Sequence, residues 1–311
     1  MSTFTISEYL DKTYDRLVNI QAEEANQLMH SWIVELHKIR SEMDKSTWDN
    51  FCALARSHKI TELLTQDPYT KRSIAKPRGY SGDAVMIDYI YRGLSADELN
   101  SISKLGQRVF SYTAGASPSA RAVRNRSYLM ASSIDSTAAR ISEPHILSVA
   151  CGHLYEAELS RSVQEGKIAR FVALDQDSLS LETISSRYPD CNIATIQAPI
   201  TDIIRGKIDI GTFDLIYSSG LYDYLSESLA ARLTARLFML LKPAGRLIIP
   251  NFVHNFETGA YMEAFMDWRL ICRDEADMNA LLKSIPPDLV QEEYIFHDEE
   301  RYIVYLEIIR K

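Results

Sequence analysis

At 311 residues, 46% apolar and 24% charged, the chain has the composition of an ordinary globular protein with one large domain or two modest ones. Its 34 basic and 42 acidic side chains give a formal charge of −8, and no Lys/Arg cluster stands out, which argues against a nucleic-acid partner. No apolar run approaches the roughly 18–20 residues of a membrane helix, the first residues carry no basic-then-apolar leader, and Cys52, Cys151, Cys191 and Cys272 form no CxxC. The expectation is a cytoplasmic protein with neither membrane insertion nor a metal site.

Between residues 6 and 64 the apolar positions recur at helical spacing. Leu28, Trp32 and Leu36 step by four, as do Trp48 and Cys52, with charged residues between. Residues 66–83, holding Pro68, Pro77, Gly79 and Gly82, read as a loop. Helical texture returns over 84–91. It returns again over 119–141, after the turn-rich 114–118 (AGASP). This third of the chain has no strand signal.

From there strands and helices alternate. Residues 145–150 (HILSVA), 170–174 (RFVAL), 192–197, 213–217 (FDLIY) and 246–250 read as strands. Helical patterns over 157–165, 179–188 and 227–241 separate them, and a turn at 242–245 (KPAG) leads into the fifth strand. Two further helical stretches, 261–270 and 275–282, precede runs at 292–296 and 302–309, which read as an antiparallel pair. The alternation predicts a doubly wound α/β sheet whose last strand turns antiparallel.

Open parallel sheets bind ligands at the carboxyl ends of their strands. Three such ends carry chemistry. The turn after the first strand contains Gly152, which permits close backbone approach, and leads into a helix N-terminus; with one glycine it is no pyrophosphate cradle. Asp175 ends the second strand, where a carboxylate accepts both hydroxyls of a ribose. The string 217–224 (YSSGLYDY) follows the fourth and faces the ligand's reactive end.

Over roughly residues 142–311 this ordered set resembles the class I S-adenosylmethionine (SAM)-dependent methyltransferases. The resemblance implies a Rossmann-like seven-stranded sheet, with residues 142–311 binding SAM and 1–141 forming a helical lid. It also implies that Ala150, Cys151 and Gly152 line the methionine part of SAM and Asp175 the ribose. Gln176, Gln197 and Ala198 would flank the adenine, and Ser218, Ser219 and Gly220, with the loop on to Tyr222, the sulfonium. The sequence departs from the family pattern in the first motif, where Ser148 replaces the usual acid and the second glycine is missing. A narrower set of strings resembles the subfamily of biosynthetic methyltransferases for 3-hydroxypalmitic acid methyl ester: KPRGYSGD (76–83), RAVRNR (121–126), ACGHLYEAE (150–158), SSGLYDYL (218–225) and PNF (250–252).

Tyr80 and Asp83 are candidates to cover SAM from the lid; the alternative is a structural turn with solvated charges. Arg121 and Asn125, four apart on one helix face with Arg126 next to them, are candidates to clamp a carboxylate, against a solvated basic face. Tyr222 offers an aromatic face to a sulfonium, and Asn251 ends the fifth strand near the expected acceptor. With Tyr80 these form the catalytic set. His153 and His254 are candidate bases or turn residues, and Asp223 reads as a cap.

Three functions stay open. Methyl transfer from SAM to a small carboxylate needs no base, because an unperturbed carboxyl is ionised at neutral pH. SAM alone could be cyclised to azetidine-2-carboxylic acid with release of methylthioadenosine, as enzymes of this fold do. The altered first motif also leaves a SAM-binding sensor in view.

Overall fold

The computed structural model describes residues 3–311. Two compact units account for them. One takes the chain up to Arg121 together with Asn255–Arg269; the other takes Ala122–His254 and Leu270–Lys311.

The first unit is helical, with no strand among its described residues, and its helices include Thr3–Val18, Ala25–Ser41, Lys45–Ser57 and Ala84–Arg92. The apolar spacing becomes its core: Trp32, Leu36, Trp48, Phe51 and Cys52 are all at most 1% exposed. Residues 66–83, expected as loop, contain the helix Pro68–Ala75. Proline is tolerated there because a first-turn N–H needs no intrahelical partner. Asp67 caps the helix by accepting from the Tyr69 and Thr70 N–H groups at 2.9 and 3.1 Å. The turn expected over 114–118 is largely a π-helix, Ser111–Ala116, continuing Lys104–Phe110.

The segment 255–269 joins this unit through side chains that local sequence gives no hint of. The Trp32 ring meets Tyr261 edge-on at 5.7 Å and Phe265 at 5.4 Å. The Glu263 carboxylate accepts from Trp48 Nε1 at 2.5 Å and Arg40 Nε at 3.2 Å. The division between units thus differs from one at 141/142: a late segment belongs with the helices, and most of the helix Pro118–Arg140 belongs with the sheet.

The second unit is built on seven strands: β1 (His145–Val149), β2 (Arg170–Asp175), β3 (Ile193–Gln197), β4 (Phe213–Tyr217), β5 (Leu241–Phe252), β6 (Val290–His297) and β7 (Ile303–Arg310). They lie in the order β3-β2-β1-β4-β5-β7-β6. The first five pair in parallel, and β7 is antiparallel to both neighbours. The expected turn at 242–245 lies inside β5, where the register against β4 shifts.

Alternate residues define the two faces. Leu147, Val149, Val172, Leu174, Ile216, Leu247, Ile249, Val304 and Leu306 form one core with Ile203 from the helix Ile200–Ile204 and Leu233 and Leu237 from Glu227–Met239. The opposite set, including Ile146, Ser148, Phe171, Leu215 and Tyr217, is also buried. Burial on both faces is what a parallel sheet requires, and it leaves the strand ends as the sites open to a ligand.

Candidate active site

The carboxyl ends of β1, β2 and β4 are drawn together by hydrogen bonds between residues far apart in sequence. The Cys151 N–H donates to Leu174 O at 3.1 Å, and the Ala198 N–H to Asp175 O at 3.0 Å. Ser218 Oγ donates to Val149 O at 2.9 Å, tying the exit of β4 to that of β1. The turn after β1 is tightly wound, with Ala150, Gly152 and Leu154 at φ of 52°, 54° and 54°. At Ala150 and Leu154 this left-handed conformation carries a steric cost that the surrounding hydrogen bonds offset.

Asp175 is the centre of the arrangement. Its Oδ2 accepts from the Gly152 N–H and its Oδ1 from the Asp177 N–H, both at 2.9 Å. Burial raises the pKa of this carboxyl above the usual range, opposed by those two N–H groups. A carboxylate offers about four acceptor sites, so it retains capacity for further donors. On the same side Gln197 Nε2 donates to Gln176 O at 3.2 Å, and the Gln197 side chain is exposed.

At the exit of β4 the loop 218–223 meets a buried charged cluster. Arg126 is 4% exposed, and its Nη2 stands 3.6 Å from where a Cβ on Gly220 would lie. Glu156 and Asp223 are 4% and 3% exposed. Burial raises both carboxyls above their ordinary values, with Arg126 acting against it in each case. Ser148 and Tyr217 are register partners across β1 and β4, and the Tyr217 hydroxyl is within electrostatic reach of Glu156. The Cys151 thiol is pushed well up by burial, then by Asp175 and Glu156, which disfavours the reactive thiolate.

The candidates from sequence fall into three groups. Ala150, Cys151, Gly152, Asp175, Gln176, Gln197, Ala198, Ser218, Ser219 and Gly220 all gather at these strand ends. The Ser219 Oγ is buried and has no hydrogen-bond partner among the described residues, which suits a surface that receives a polar ligand.

Tyr222 and Asn251, expected in the catalytic set, both lie in the interior. Tyr222 is fully buried in the sheet core, its hydroxyl 3.0 Å from Thr234 Oγ1. Asn251 is fully buried as well: its amide donates to Phe252 O and Ile271 O, each at 2.9 Å, and its oxygen accepts from Arg273 at 2.6 Å. Arg273 also donates to Tyr222 O and Leu225 O, at 2.7 and 2.6 Å. These hydrogen bonds hold the loop after β4 in shape.

Tyr80, Asp83 and Arg121 belong to the helical unit. Asp83 is 1% exposed, caps the helix Ala84–Arg92 through the Met86 N–H at 2.9 Å, and pairs with Arg72 at 2.8 Å. Tyr80 is half-buried. Arg121 donates to Ala116 O at 2.7 Å from an exposed position. Asn125 is exposed too, although it lies in the sheet unit. In the RAVRNR string it is Arg126 that faces inward. The sequence holds a signal for this: Ala122, Val123, Met130, Ala131 and Ile134 form a buried stripe that runs through position 126.

Among the described residues one trio, His254, Asp274 and Asp277, lies close enough to share a metal ion. All three are exposed, and the two aspartates form a reciprocal cap on the helix Glu275–Ala280. Among the described residues no helix is long and apolar enough to cross a membrane.

No family model and no curated protein matches the sequence. Solved structures do. A possible exported protein from Bordetella parapertussis is 16% identical, with 87% of this chain and 98% of that one covered and a TM-score of 0.60. The SAM-dependent methyltransferase SibL is 14% identical over 78% of this chain and 69% of its own, with a TM-score of 0.48. The magnesium protoporphyrin IX methyltransferase of Synechocystis PCC 6803, with bound SAM, is 11% identical over 62% and 83%, with a TM-score of 0.44. Identities this low speak of fold alone. The fold is α/β, a Rossmann-like seven-stranded sheet with an antiparallel β7.

Proposed function

We propose that this protein is a SAM-dependent enzyme that transfers a methyl group to the carboxylate of a small molecule of the hydroxy-fatty-acid kind. The observation that carries the reading is Asp175, held by the Gly152 and Asp177 N–H groups at the end of β2 and level with the exits of β1 and β4. In that place its remaining lone pairs suit the two hydroxyls of a ribose. Gln176, Gln197 and Ala198 then border the adenine, and Ala150–Gly152 with Ser218–Gly220 border the methionine part. SAM supplies a methyl group already activated on sulfur.

The chain's own residues need only align the acceptor oxygen with the methyl carbon and keep water out. No side chain has to remove a proton, because a carboxylate acceptor arrives ionised. That agrees with the engagement of Tyr222 and Asn251 in the interior, away from any base role.

The test is incubation of the purified protein with SAM, first alone and then with 3-hydroxy fatty acids or short carboxylates, followed by mass spectrometry. Methyl ester and S-adenosylhomocysteine in equal amounts, only with acceptor present, is the expected result. Azetidine-2-carboxylic acid and methylthioadenosine from SAM alone would replace methyl transfer with intramolecular cyclisation. Binding of SAM without any product would leave a sensor.

A further inference from the structure

The chain leaves the sheet unit after His254 and returns to it at Leu270, and the segment between belongs to the helical unit. Within it Ala260, Tyr261, Ala264, Phe265 and Met266 are all at most 2% exposed, so the segment is part of the helical core. Polar contacts fix it as well. Tyr261 Oη lies 2.8 Å from Thr70 Oγ1, Ser73 Oγ donates to Met266 O at 2.8 Å, and Arg56 donates to Glu263 O at 2.9 Å. With the bonds from Trp48 and Arg40 to the Glu263 carboxylate, these contacts come from three helices, Ala25–Ser41, Lys45–Ser57 and Pro68–Ala75.

The residues that flank the segment lie in the sheet unit, and one loop holds them both. The Phe252 N–H, shortly before the segment, donates to Asp223 Oδ1 at 2.8 Å; the Ile271 N–H, shortly after it, donates to Asp223 O at 2.7 Å. The Arg273 N–H donates to Phe252 O at 3.0 Å, and its guanidinium reaches Tyr222 O and Leu225 O. Asn251 closes the ring by donating to Ile271 O at 2.9 Å. Both feet of the segment therefore end on the loop after β4, whose first residues, Ser218–Gly220, border the candidate site. Asp223 is the shared point, since its carboxylate takes one foot and its carbonyl the other. Freeing the segment from the helices slackens both feet, and slack feet take two donors from Asp223.

We propose that residues 255–269 are a strap through which the helical unit sets the order of the loop after β4, with Glu263 and Asp223 as the positioning residues at its two ends. Glu263 then governs the site from the helical unit without meeting a ligand. The consequence for SAM rests on the reading of the site given above; the coupling itself does not. Such coupling is reciprocal, so loosening either end loosens the other.

The experiment is amide hydrogen exchange on the full chain as wild type, Glu263→Ala and Asp223→Ala. Leu17→Ala serves as a control that opens the helical core in its first helix. The Leu225, Phe252, Ile271 and Arg273 amides report on the loop and the feet, and the Met262, Met266 and Trp268 amides on the strap. Glu263→Ala is expected to speed exchange at the first four about fivefold or more, and to weaken SAM by a similar factor in calorimetric titration. Leu17→Ala should leave those four within about twofold of wild type. Asp223→Ala should speed exchange at the three strap amides about fivefold or more, and either variant decides the matter if the other fails to fold. Unchanged exchange at the four amides in Glu263→Ala overturns the proposal, even where the strap itself loosens. So does unchanged exchange at the strap in Asp223→Ala. An equal effect from Leu17→Ala overturns it too, because the helical core at large would then be responsible. Faster exchange with unchanged SAM affinity also overturns it, since the strap would not reach the site. If wild type binds no SAM, the reading of the site fails, and the exchange rates still decide the coupling.

Discussion

The Gly152 N–H donates to Asp175 Oδ2 at 2.9 Å, joining the turn after β1 to the last residue of β2. The same carboxylate therefore fixes the turn and faces the proposed ribose. Asp175→Ala removes the acceptor from two N–H groups at once, at a cost of about 1–3 kcal/mol in stability. It is expected to weaken SAM binding at least about tenfold. Urea denaturation and ligand titration on one preparation separate the two effects; unchanged affinity would remove the nucleoside from this position.

Asn251 and Tyr222 are expected to behave as structural residues of unequal weight. Asn251→Ala takes one of three acceptors from the buried Arg273 guanidinium and leaves Ile271 O without its side-chain donor, for a loss of about 1–3 kcal/mol. Tyr222→Phe loses only the contact with Thr234, about 0.5–1.5 kcal/mol, and leaves turnover within a few-fold of wild type. A hundredfold fall in turnover for Tyr222→Phe, with the fold intact, would restore its catalytic role.

Two glycines of the sheet unit should respond differently to alanine. At Gly245 a Cβ would stand 2.8 Å from Lys242 O and 2.9 Å from Phe213 O, both rigid backbone atoms at the β4–β5 irregularity. Gly245→Ala is expected to cost about 1–3 kcal/mol. At Gly220 the nearest atom is Arg126 Nη2 at 3.6 Å, an ordinary contact, so Gly220→Ala should fold within about 0.5 kcal/mol of wild type. Thermal melts of the pair check this, and equal melting points would contradict it.

Asp67 gives the helical unit a dependence on pH. It is fully buried, and burial pushes its carboxyl up to about 6 despite hydrogen bonds from Thr70, Tyr69 and Thr113. The folded chain then holds this proton more tightly than the unfolded chain does. The contribution is therefore greatest below about pH 4, the ordinary carboxylate value, and declines as the pH rises through about 6. Two pH units correspond to about 3 kcal/mol at most. Asp67→Asn should flatten the stability profile between pH 4 and 6 relative to wild type. Denaturant midpoints measured at half-unit steps would reveal an unchanged slope if Asp67 is not responsible.

Local regularities carry much of the fold. The strands β1, β2 and β4 lie where short apolar runs stop at a turn or a polar residue, because a strand buried on both faces is largely apolar. Helix ends are harder to read: Pro68 has the look of a breaker, yet Asp67 makes it a first-turn residue. At the site, residues immediately after a strand are readable, since topology alone sends them to one edge of the sheet. Tyr222 lies soon after β4 and Asn251 close to the end of β5, but both are held by Arg273, which is distant in sequence.

The sequence by itself determined a strand-free helical segment, an alternating α/β segment and the set of turns that gather at the strand ends. Each depends on the spacing of neighbouring residues, and periodicity reports that directly. Only the tertiary structure decided that Arg126 faces inward while Arg121 and Asn125 face solvent, that residues 255–269 join the helices, and that Glu156 and Asp223 share one buried guanidinium. Burial and Coulomb interaction depend on distance through space, and the groups that set them here come from segments far apart along the chain.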